Sequence, residues 1–225
     1  MFVKICCIST IDEARLAIAA GAHAVGLVSR MPSGPGTIDE DTIAGIAAAV
    51  PPPIASFLLT CETEADAIVA QHRRCRTSVI QLVDRVTPDV RRELRDALPG
   101  VSIVQVVHVV GPSSVEEAMQ AAEHADALLL DSGDPSLPVK TLGGTGRVHN
   151  WSLSRRIRAQ SPIPVFLAGG LHAGNVAAAI EQVEPWGIDV CSGVRRNDRL
   201  DAATLARLLA AVRGAAPIDQ TSETS

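Results

Sequence analysis

The side chains that could carry chemistry stand at the ends of short apolar segments. Cys6 ends the segment that begins at Val3, and Asp131 directly follows Leu128–Leu130. A cysteine can act as a general base in its thiolate form, and an aspartate in such a position is a candidate general acid or base. Each has an ordinary alternative, because free cysteine is usually a small buried apolar residue and aspartate often caps a helix or hydrogen-bonds within a loop. We take Cys6 and Asp131 as candidate proton-transfer groups.

Glycine-rich turns follow the last two apolar segments of the chain. Gly169 and Gly170 follow one of them, and Ser192 and Gly193 follow the other. Backbone N–H groups in such turns bind phosphate without needing much positive charge. A further glycine-rich stretch around Gly144 predicts either a lid that approaches a ligand or, equally, an ordinary flexible loop. The sequence therefore predicts phosphate binding at Gly169, Gly170, Ser192 and Gly193, with Gly144 as an additional ligand-binding residue.

Eight short apolar segments, each followed by a helical pattern, must position these residues. Most are apolar without alternation, as strands buried on both faces are. Eight alternations favour a single (β/α)8 TIM barrel, with its active site at the C-terminal ends of the strands, over an open doubly wound sheet, which stays the alternative. We expect one barrel domain over residues 1–214 and a disordered tail over 215–225. The segments are Val3–Cys6, Ala24–Val28, Ile54–Leu59, Ser78–Val83, Ser102–Val107, Ala127–Leu130, Val165–Ala168 and Ile188–Cys191.

Local signals add detail to this framework. Thr10 with Glu13 forms a candidate capping box before the first helix. Pro51–Pro53 should end the second helix. Because side chains alternate along a strand, Cys6 and Cys7 should point to opposite sides, so that at most one faces a pocket.

Composition limits the partners and the location of the protein. Aromatic residues make up only 2% and the net charge is −5, which disfavours nucleic acid. No apolar run reaches the roughly 18 residues of a membrane helix. The five cysteines are an odd number without a signal peptide, which favours the reducing cytoplasm. Neither the cysteines nor the histidines have metal-ligand spacing, so we expect no metal site.

The order of these features resembles that in phosphoribosylanthranilate isomerases, the barrel enzymes of tryptophan synthesis. Val3-Lys4-Ile5-Cys6 is similar to their first-strand motif, whose Cys is the general base. Leu129-Leu130-Asp131-Ser132 is similar to the motif that carries their general acid. The resemblance spans nearly the whole chain, including three further segments similar to the family's lid, seventh unit and eighth unit: Gly143–Gly146 with Asn150-Trp151, Leu167–Leu171 with Asn175-Val176, and Asp189–Val194.

This chain departs from the family pattern mainly at the end that holds the aromatic amine. The family has a Ser-Pro-Arg motif after strand two, whose Arg holds the anthranilate carboxylate, but here the stretch is Gly34-Pro35-Gly36. Val83 stands where the family has a His on strand four. Restoring the cation by Gly36→Arg is the direct test of a degraded anthranilate site. Cys7, Cys191 and Arg195 replace a Gly, a Ser and a Glu, and the candidates for a substitute cation are Arg30, Arg85 and Arg195.

The resemblance implies an Amadori rearrangement of an N-(5-phosphoribosyl) amine to a 1-amino-1-deoxyribulose 5-phosphate. In it, Asp131 protonates the furanose ring oxygen and Cys6 removes the C2 proton, with no metal or organic cofactor. Three hypotheses stay open: phosphoribosylanthranilate isomerase itself, a related isomerase for another phosphosugar amine, and a non-catalytic phosphate-binding barrel. The expected partner is a phosphorylated sugar amine, and both a monomer and a homodimer are compatible with the sequence.

Overall fold

The computed structural model describes residues 1–32, 34–133 and 148–215. Eight parallel strands close into a barrel in chain order, and β1 (Phe2–Ile5) pairs with both β2 (Ala24–Val28) and β8 (Gly187–Val190). Closure through the β1–β8 pair excludes the open sheet and confirms the (β/α)8 barrel. The other strands are β3 (Ala55–Thr60), β4 (Val79–Leu82), β5 (Ser102–His108), β6 (Ala127–Asp131) and β7 (Val165–Leu167). The helices around them are α1 (Ile11–Ala20), α2 (Glu40–Ala49), α3 (Ala65–Cys75), α4 (Pro88–Ala97), α5 (Ser114–Ala122), α6 (Trp151–Gln160) and α7 (Val176–Val183).

The chain after β8 completes the ring of helices. A short 3-10 turn, Ser192–Val194, leads into a two-stranded ribbon of β9 (Arg195–Arg196) and β10 (Arg199–Leu200), and α8 (Ala202–Ala215) then packs against α1 and α7. No helix in the described part of the chain is long and apolar enough to cross a membrane. The same residues hold no group of three or more His, Cys, Asp or Glu side chains arranged to bind a metal ion. The tail predicted from the sequence lies, from residue 216 on, outside the described residues.

Alternate residues of each strand fill two different apolar cores. Val104, Val106 and Leu129 belong to a cluster inside the barrel, whereas Leu128 and Leu130 belong to the cluster beneath the helices. A strand that is buried on both faces needs apolar residues at successive positions, which is why these segments lack polar alternation. The inner face therefore carries the residues that can line a site at the end of the barrel.

The start of α1 follows the predicted cap with one difference. The Glu13 N–H donates to Thr10 Oγ1 at 3.1 Å, which makes Thr10 the N-cap. The Glu13 carboxylate, however, accepts from the N–H of Ser9 at 3.0 Å, so the second bond reaches one residue beyond the one expected in a capping box. The helix end predicted before Pro51–Pro53 is confirmed, since α2 ends at Ala49.

Candidate active site

The C-terminal mouth of the barrel, where β1–β8 end, brings together both predicted proton-transfer residues. Cys6 directly follows β1, is 5% exposed and belongs to the inner cluster. Asp131 is the half-buried last residue of β6, on the same face as the inner residue Leu129. Because β1 and β6 lie three positions apart around the ring, the thiol and the carboxyl enter the mouth from different sides.

A buried ion pair lies on the inner face directly below Cys6. Lys4 Nζ donates to Asp189 Oδ2 at 2.7 Å, and the two side chains are 0% and 7% exposed. Burial opposes the charge on Lys4, but Asp189 and the nearby Cys6 and Cys7 outweigh it and raise the pKa of Lys4 above its ordinary value. Gly26 leaves space here, since a Cβ at this residue would lie 2.8 Å from Cys6 Sγ and 3.0 Å from Lys4 Nζ. Lys4, paired with Asp189, therefore places a positive charge close to the candidate base.

The expectation that Cys6 and Cys7 point to opposite sides is wrong. β1 ends at Ile5, and Cys7 has a left-handed φ of +60°, so strand alternation does not extend to it. Both cysteines join the cluster inside the barrel. Cys7 Sγ lies 2.7 Å from Cys191 Sγ, which follows β8. Contacts with the thiols of Cys191 and Cys6, together with burial, raise the pKa of Cys7 well above its ordinary value.

Asp131 is held by the loop that follows β6. Its Oδ1 accepts from the N–H of Ser132 at 2.7 Å and from the Ser132 hydroxyl at 3.4 Å. His149 lies at the same place, because a Cβ on Gly169 would be 3.0 Å from Ser132 Oγ and 3.1 Å from His149 Nδ1. Burial lowers the pKa of His149, and the Asp131 carboxylate offsets this only in part. A neutral imidazole therefore lies next to the candidate acid at neutral pH.

Reasoning from the sequence missed His108, the last residue of β5. Strand register pairs it directly with Asp131, so both face the inside of the barrel. His108 is 5% exposed, its Nε2 lies 3.0 Å from the carbonyl oxygen of Val83, and its buried Nδ1 has no hydrogen-bond partner among the described residues. His108 thus places an imidazole next to Val83, which stands where the family has His on strand four. The available signal was the one that identified Asp131, a polar residue at the end of an apolar strand.

The turns after β7 and β8 lie against each other at the mouth. Gly169 and Gly170 have φ angles of +81° and +64°, which glycine adopts without strain. Gly193 permits close contact, because a Cβ there would lie 1.9 Å from a backbone carbonyl oxygen of the β7 turn. In the described part of the chain, the N–H groups of Gly169, Gly170, Ser192 and Gly193 donate no hydrogen bond to the backbone. These four donors on two adjacent turns suit a phosphate; Gly144 lies outside the described residues.

Cys7 occupies the space next to Gly36, the position that corresponds to the family's arginine. Gly36 has φ of +75°, and a Cβ there would lie 2.6 Å from Cys7 Cβ and 3.2 Å from Cys7 Sγ. Real Cβ atoms essentially never come within 3.0 Å of a heavy atom beyond their own residue and its chain neighbours, so any larger residue at position 36 conflicts with Cys7. The single change Gly36→Arg therefore cannot simply restore the missing cation. The departures at positions 7 and 36 are sterically coupled.

Arg195, one of the three candidate cations, is used to hold the ends of β1 and β8 together. It is 10% exposed and pairs with Glu13 at 3.1 Å. Its Nη2 donates to the carbonyl oxygens of Cys6, at 3.2 Å, and Cys7. A guanidinium with these partners fixes the backbone beside the candidate base and leaves little capacity for a substrate carboxylate.

The other two candidate cations differ in their surroundings. Arg85 pairs with Glu117 at 2.7 Å and links the loop before α4 to α5, away from the inner face. Arg30 is exposed on the loop after β2, the same loop that carries Gly36. Of the three candidate cations, Arg30 is the one that lies on the loop that carries Gly36.

The C-terminal mouth of the closed barrel carries a thiol, a carboxyl and backbone N–H groups that, among the described residues, donate no backbone hydrogen bond. These features define the chain as a (β/α)8-barrel enzyme. The sequence model of the family described as N-(5'phosphoribosyl)anthranilate (PRA) isomerase matches residues 3–210. The chain belongs to the PRA isomerase family.

Relatives and solved structures agree with this assignment over nearly the full length. The N-(5'-phosphoribosyl)anthranilate isomerase of Halorubrum lacusprofundi is 38% identical over 210 residues, covering 92% of this chain and 94% of the relative. That of Methanocella arvoryzae is 34% identical over 205 residues, covering 91% and 94%. The crystal structure of phosphoribosyl anthranilate isomerase from Thermotoga maritima superimposes with a TM-score of 0.81 at 26% identity, covering 95% of this chain and 99% of that one. The enzyme from Thermococcus kodakaraensis gives a TM-score of 0.78 at 29% identity, covering 94% and 98%.

Proposed function

We propose that the protein isomerises N-(5'-phosphoribosyl)anthranilate to 1-(o-carboxyphenylamino)-1-deoxyribulose 5-phosphate, in tryptophan biosynthesis. The observation that carries the proposal is that one mouth of the barrel holds Cys6, Asp131 and four backbone N–H groups that, among the described residues, donate no backbone hydrogen bond. Cytoplasmic location and the choice between a monomer and a homodimer rest on the sequence alone and stay predictions.

Asp131 opens the sugar ring. In its acid form it gives a proton to the furanose ring oxygen while the C1–O bond breaks, and the amine nitrogen lone pair forms the C1=N bond of a protonated imine. The bonds from Ser132 fix one oxygen of the carboxyl and so orient the other. The neutral His149 nearby adds no positive charge that would oppose the proton transfer.

Cys6 completes the rearrangement from the other side. Its thiolate removes the C2 proton, whose electron pair becomes the C1=C2 bond as the imine nitrogen regains its lone pair. The enolamine then becomes the ketone by moving the hydroxyl proton to C1, so the reaction needs no external oxidant or reductant. The Lys4 ammonium lies where it can stabilise the thiolate. Each proton transfer is worth about 10²–10⁴ in rate.

The two ends of the substrate bind on different sectors of the mouth. The phosphate accepts from the N–H groups of Gly169, Gly170, Ser192 and Gly193. The anthranilate carboxylate lies toward the loop after β2, where Arg30 provides the positive charge. His108 supplies an imidazole beside Asp131, and its buried Nδ1, which has no hydrogen-bond partner among the described residues, is the atom that would contact the substrate.

A second candidate is the same reaction on a different phosphosugar amine. The observation that favours it is the space at Gly36, where Cys7 prevents the family's arginine from being accommodated. An amine without a carboxylate needs no cation at this position. Turnover of phosphoribosyl amines that lack the carboxylate, faster than that of phosphoribosylanthranilate, would support this alternative.

The experiment generates phosphoribosylanthranilate in situ and follows the loss of its fluorescence. We expect turnover by the wild type and a fall in kcat of about 10²–10⁴ in Cys6→Ala and in Asp131→Asn. Two matched controls should keep activity: Cys75→Ala removes a buried thiol on α3, and Asp126→Asn changes an aspartate just before β6, at its opposite end.

A binding assay on the same proteins shows whether a variant has lost catalysis alone or has also lost phosphate binding. Ribose 5-phosphate should raise the melting temperature of the wild type, Cys6→Ala and Asp131→Asn alike, because the proposed phosphate donors lie on the β7 and β8 turns. A folded wild type that is stabilised by ribose 5-phosphate but turns over no phosphoribosyl amine would favour the non-catalytic barrel. Equal loss of binding and rate in Asp131→Asn would contradict the role given to Asp131.

A further inference from the structure

Two thiols at the mouth lie close enough to become covalently joined. Cys7 Sγ and Cys191 Sγ are 2.7 Å apart, compared with about 2.04 Å in a disulfide. The proposed reaction uses neither thiol, and the family pattern has Gly and Ser at these positions. We propose that Cys7 and Cys191 are a modification site, at which a reversible disulfide forms and stops turnover. The bond itself is independent of the proposed function, and only its effect on turnover rests on that function.

Their surroundings give the two thiols different roles in exchange. Cys191 is partly exposed and Cys7 is buried, so a small molecule reaches Cys191 first. The contact with Cys7 and the charge of Arg195 lower the pKa of Cys191 against the effect of burial, whereas the pKa of Cys7 is raised. The thiolate is the attacking species in thiol–disulfide exchange. Cys191 is therefore the attacking thiol and Cys7 the resolving one.

The oxidant we name is a small-molecule disulfide such as glutathione disulfide. The Cys191 thiolate attacks one of its sulfurs and expels one glutathione thiolate, which leaves a mixed disulfide on Cys191. Cys7 then loses its proton, attacks the Cys191 sulfur and expels the second glutathione thiolate. The two protein thiols lose two electrons, and glutathione disulfide gains them. A dithiol reductant reverses both steps.

The position of the bond explains why it should stop turnover. Cys7 follows the candidate base Cys6, and Cys191 precedes Ser192 and Gly193 of the proposed phosphate turn. The two sulfurs must move together by about 0.7 Å to reach the bond length, and the bond then ties the segment after β1 to the turn after β8. Catalytic geometry tolerates little displacement of this kind, since a shift of about 1 Å can cost about a hundredfold in rate.

To test the proposal, the wild type is incubated with glutathione disulfide and its free thiols are trapped by alkylation. The cross-linked peptides are then mapped by mass spectrometry. We expect a Cys7–Cys191 peptide, with turnover lost in proportion to the cross-linked fraction and regained with dithiothreitol. Cys191→Ser, which carries the family's residue, should keep turnover before and after oxidation. Cys75→Ser, a control on α3, should be inactivated like the wild type.

Three results would overturn the proposal. They are the absence of a Cys7–Cys191 cross-link, a cross-link of Cys7 to Cys6 instead, and inactivation of Cys191→Ser to the same extent as the wild type. Failure of the proposed function gives a different pattern. Reduced wild type would then turn over no phosphoribosylanthranilate, while the peptide map would still decide whether the disulfide forms.

Discussion

The steric coupling of Cys7 and Gly36 can be measured with four proteins: the wild type, Cys7→Gly, Gly36→Arg and the double variant. In the wild-type background, an arginine at position 36 brings its Cβ to 2.6 Å from Cys7 Cβ. Overpacking of this kind costs about 1–3 kcal/mol. A non-glycine residue at φ of +75° adds about 1–2 kcal/mol. Gly36→Arg alone should therefore lower the free energy of unfolding by about 2–5 kcal/mol.

Cys7→Gly should relieve most of this cost. It removes the Cys7 Cβ and Sγ and leaves the Cys7 Cα at 3.2 Å, a contact that small shifts can absorb. It also places glycine at a backbone φ of +60°, which is strained for cysteine. In the Cys7→Gly background, Gly36→Arg should then cost only the strain at its own φ. The expected coupling between the two changes is about 1–3 kcal/mol in favour of the double variant.

Urea unfolding of the four proteins measures this coupling, and kinetics measures its functional consequence. If the substrate is phosphoribosylanthranilate, the double variant should have a KM at least about tenfold below that of Cys7→Gly, since a hydrogen bond to a charged group contributes about 1.5–3 kcal/mol. Gly45→Arg is the matched control, because Gly45 on α2 faces open space and should not couple to Cys7→Gly. If the change in unfolding free energy of the double variant equals the sum of the two single changes to within about 0.5 kcal/mol, the two positions are not sterically coupled.

Three further predictions follow from the site. His108→Gly should lower kcat/KM for phosphoribosylanthranilate about tenfold, which corresponds to the loss of one hydrogen bond. Val83→His in the His108→Gly background should restore part of the lost kcat/KM. Unchanged kinetics in His108→Gly would exclude a substrate contact by His108. Burial opposes the charge of Glu13, but the Leu200 and Ser9 N–H groups and Arg195 hold the pKa of its carboxyl below the ordinary 4.5. These bonds should contribute fully to the free energy of unfolding above pH 4.5, and their contribution should be lost as the pH falls through the depressed pKa. In Glu13→Gln, the free energy of unfolding measured with urea should depend less on pH in this range. Gly193→Ala should destabilise the fold by about 1–3 kcal/mol or more and abolish stabilisation by ribose 5-phosphate, because the added Cβ overlaps the Leu171 carbonyl. The control Gly45→Ala should instead stabilise the fold by about 0.5–1 kcal/mol. Equal urea midpoints for the two variants would contradict this prediction.

The barrel itself was predictable because its physics is local and repeated. A parallel strand covered on both faces needs several apolar residues in succession, and each predicted segment lies within one or two residues of the observed strand. The segment Ala24–Val28, for example, matches β2 at both ends. The ends of strands also indicated where Cys6 and Asp131 would meet, because all parallel strands of a barrel end at the same mouth.

Residues that act through distant neighbours were not predictable in the same way. Strand alternation gave the wrong side for Cys7 because the strand ends two residues earlier and the backbone becomes left-handed. Its contact with Cys191 joins residues 184 positions apart. His108 gains its meaning only from the register that sets it beside Asp131 and Val83. The contacts themselves leave no local pattern in the sequence, and for His108 the one local signal was a polar residue at the end of an apolar strand.

The departures from the family pattern are not independent of one another. Cys7 occupies the space that a side chain at position 36 would need, its sulfur contacts Cys191, and its carbonyl oxygen accepts from Arg195. All four positions therefore belong to one sector of the mouth, formed by the ends of β1, β2 and β8. A change at one of them alters the space or the hydrogen bonds available to the others, so reverting any single residue tests a combination that is found neither in this chain nor in the family pattern. Only joint reversion, beginning with positions 7 and 36, can separate a change of substrate from a rebuilt site for the same one.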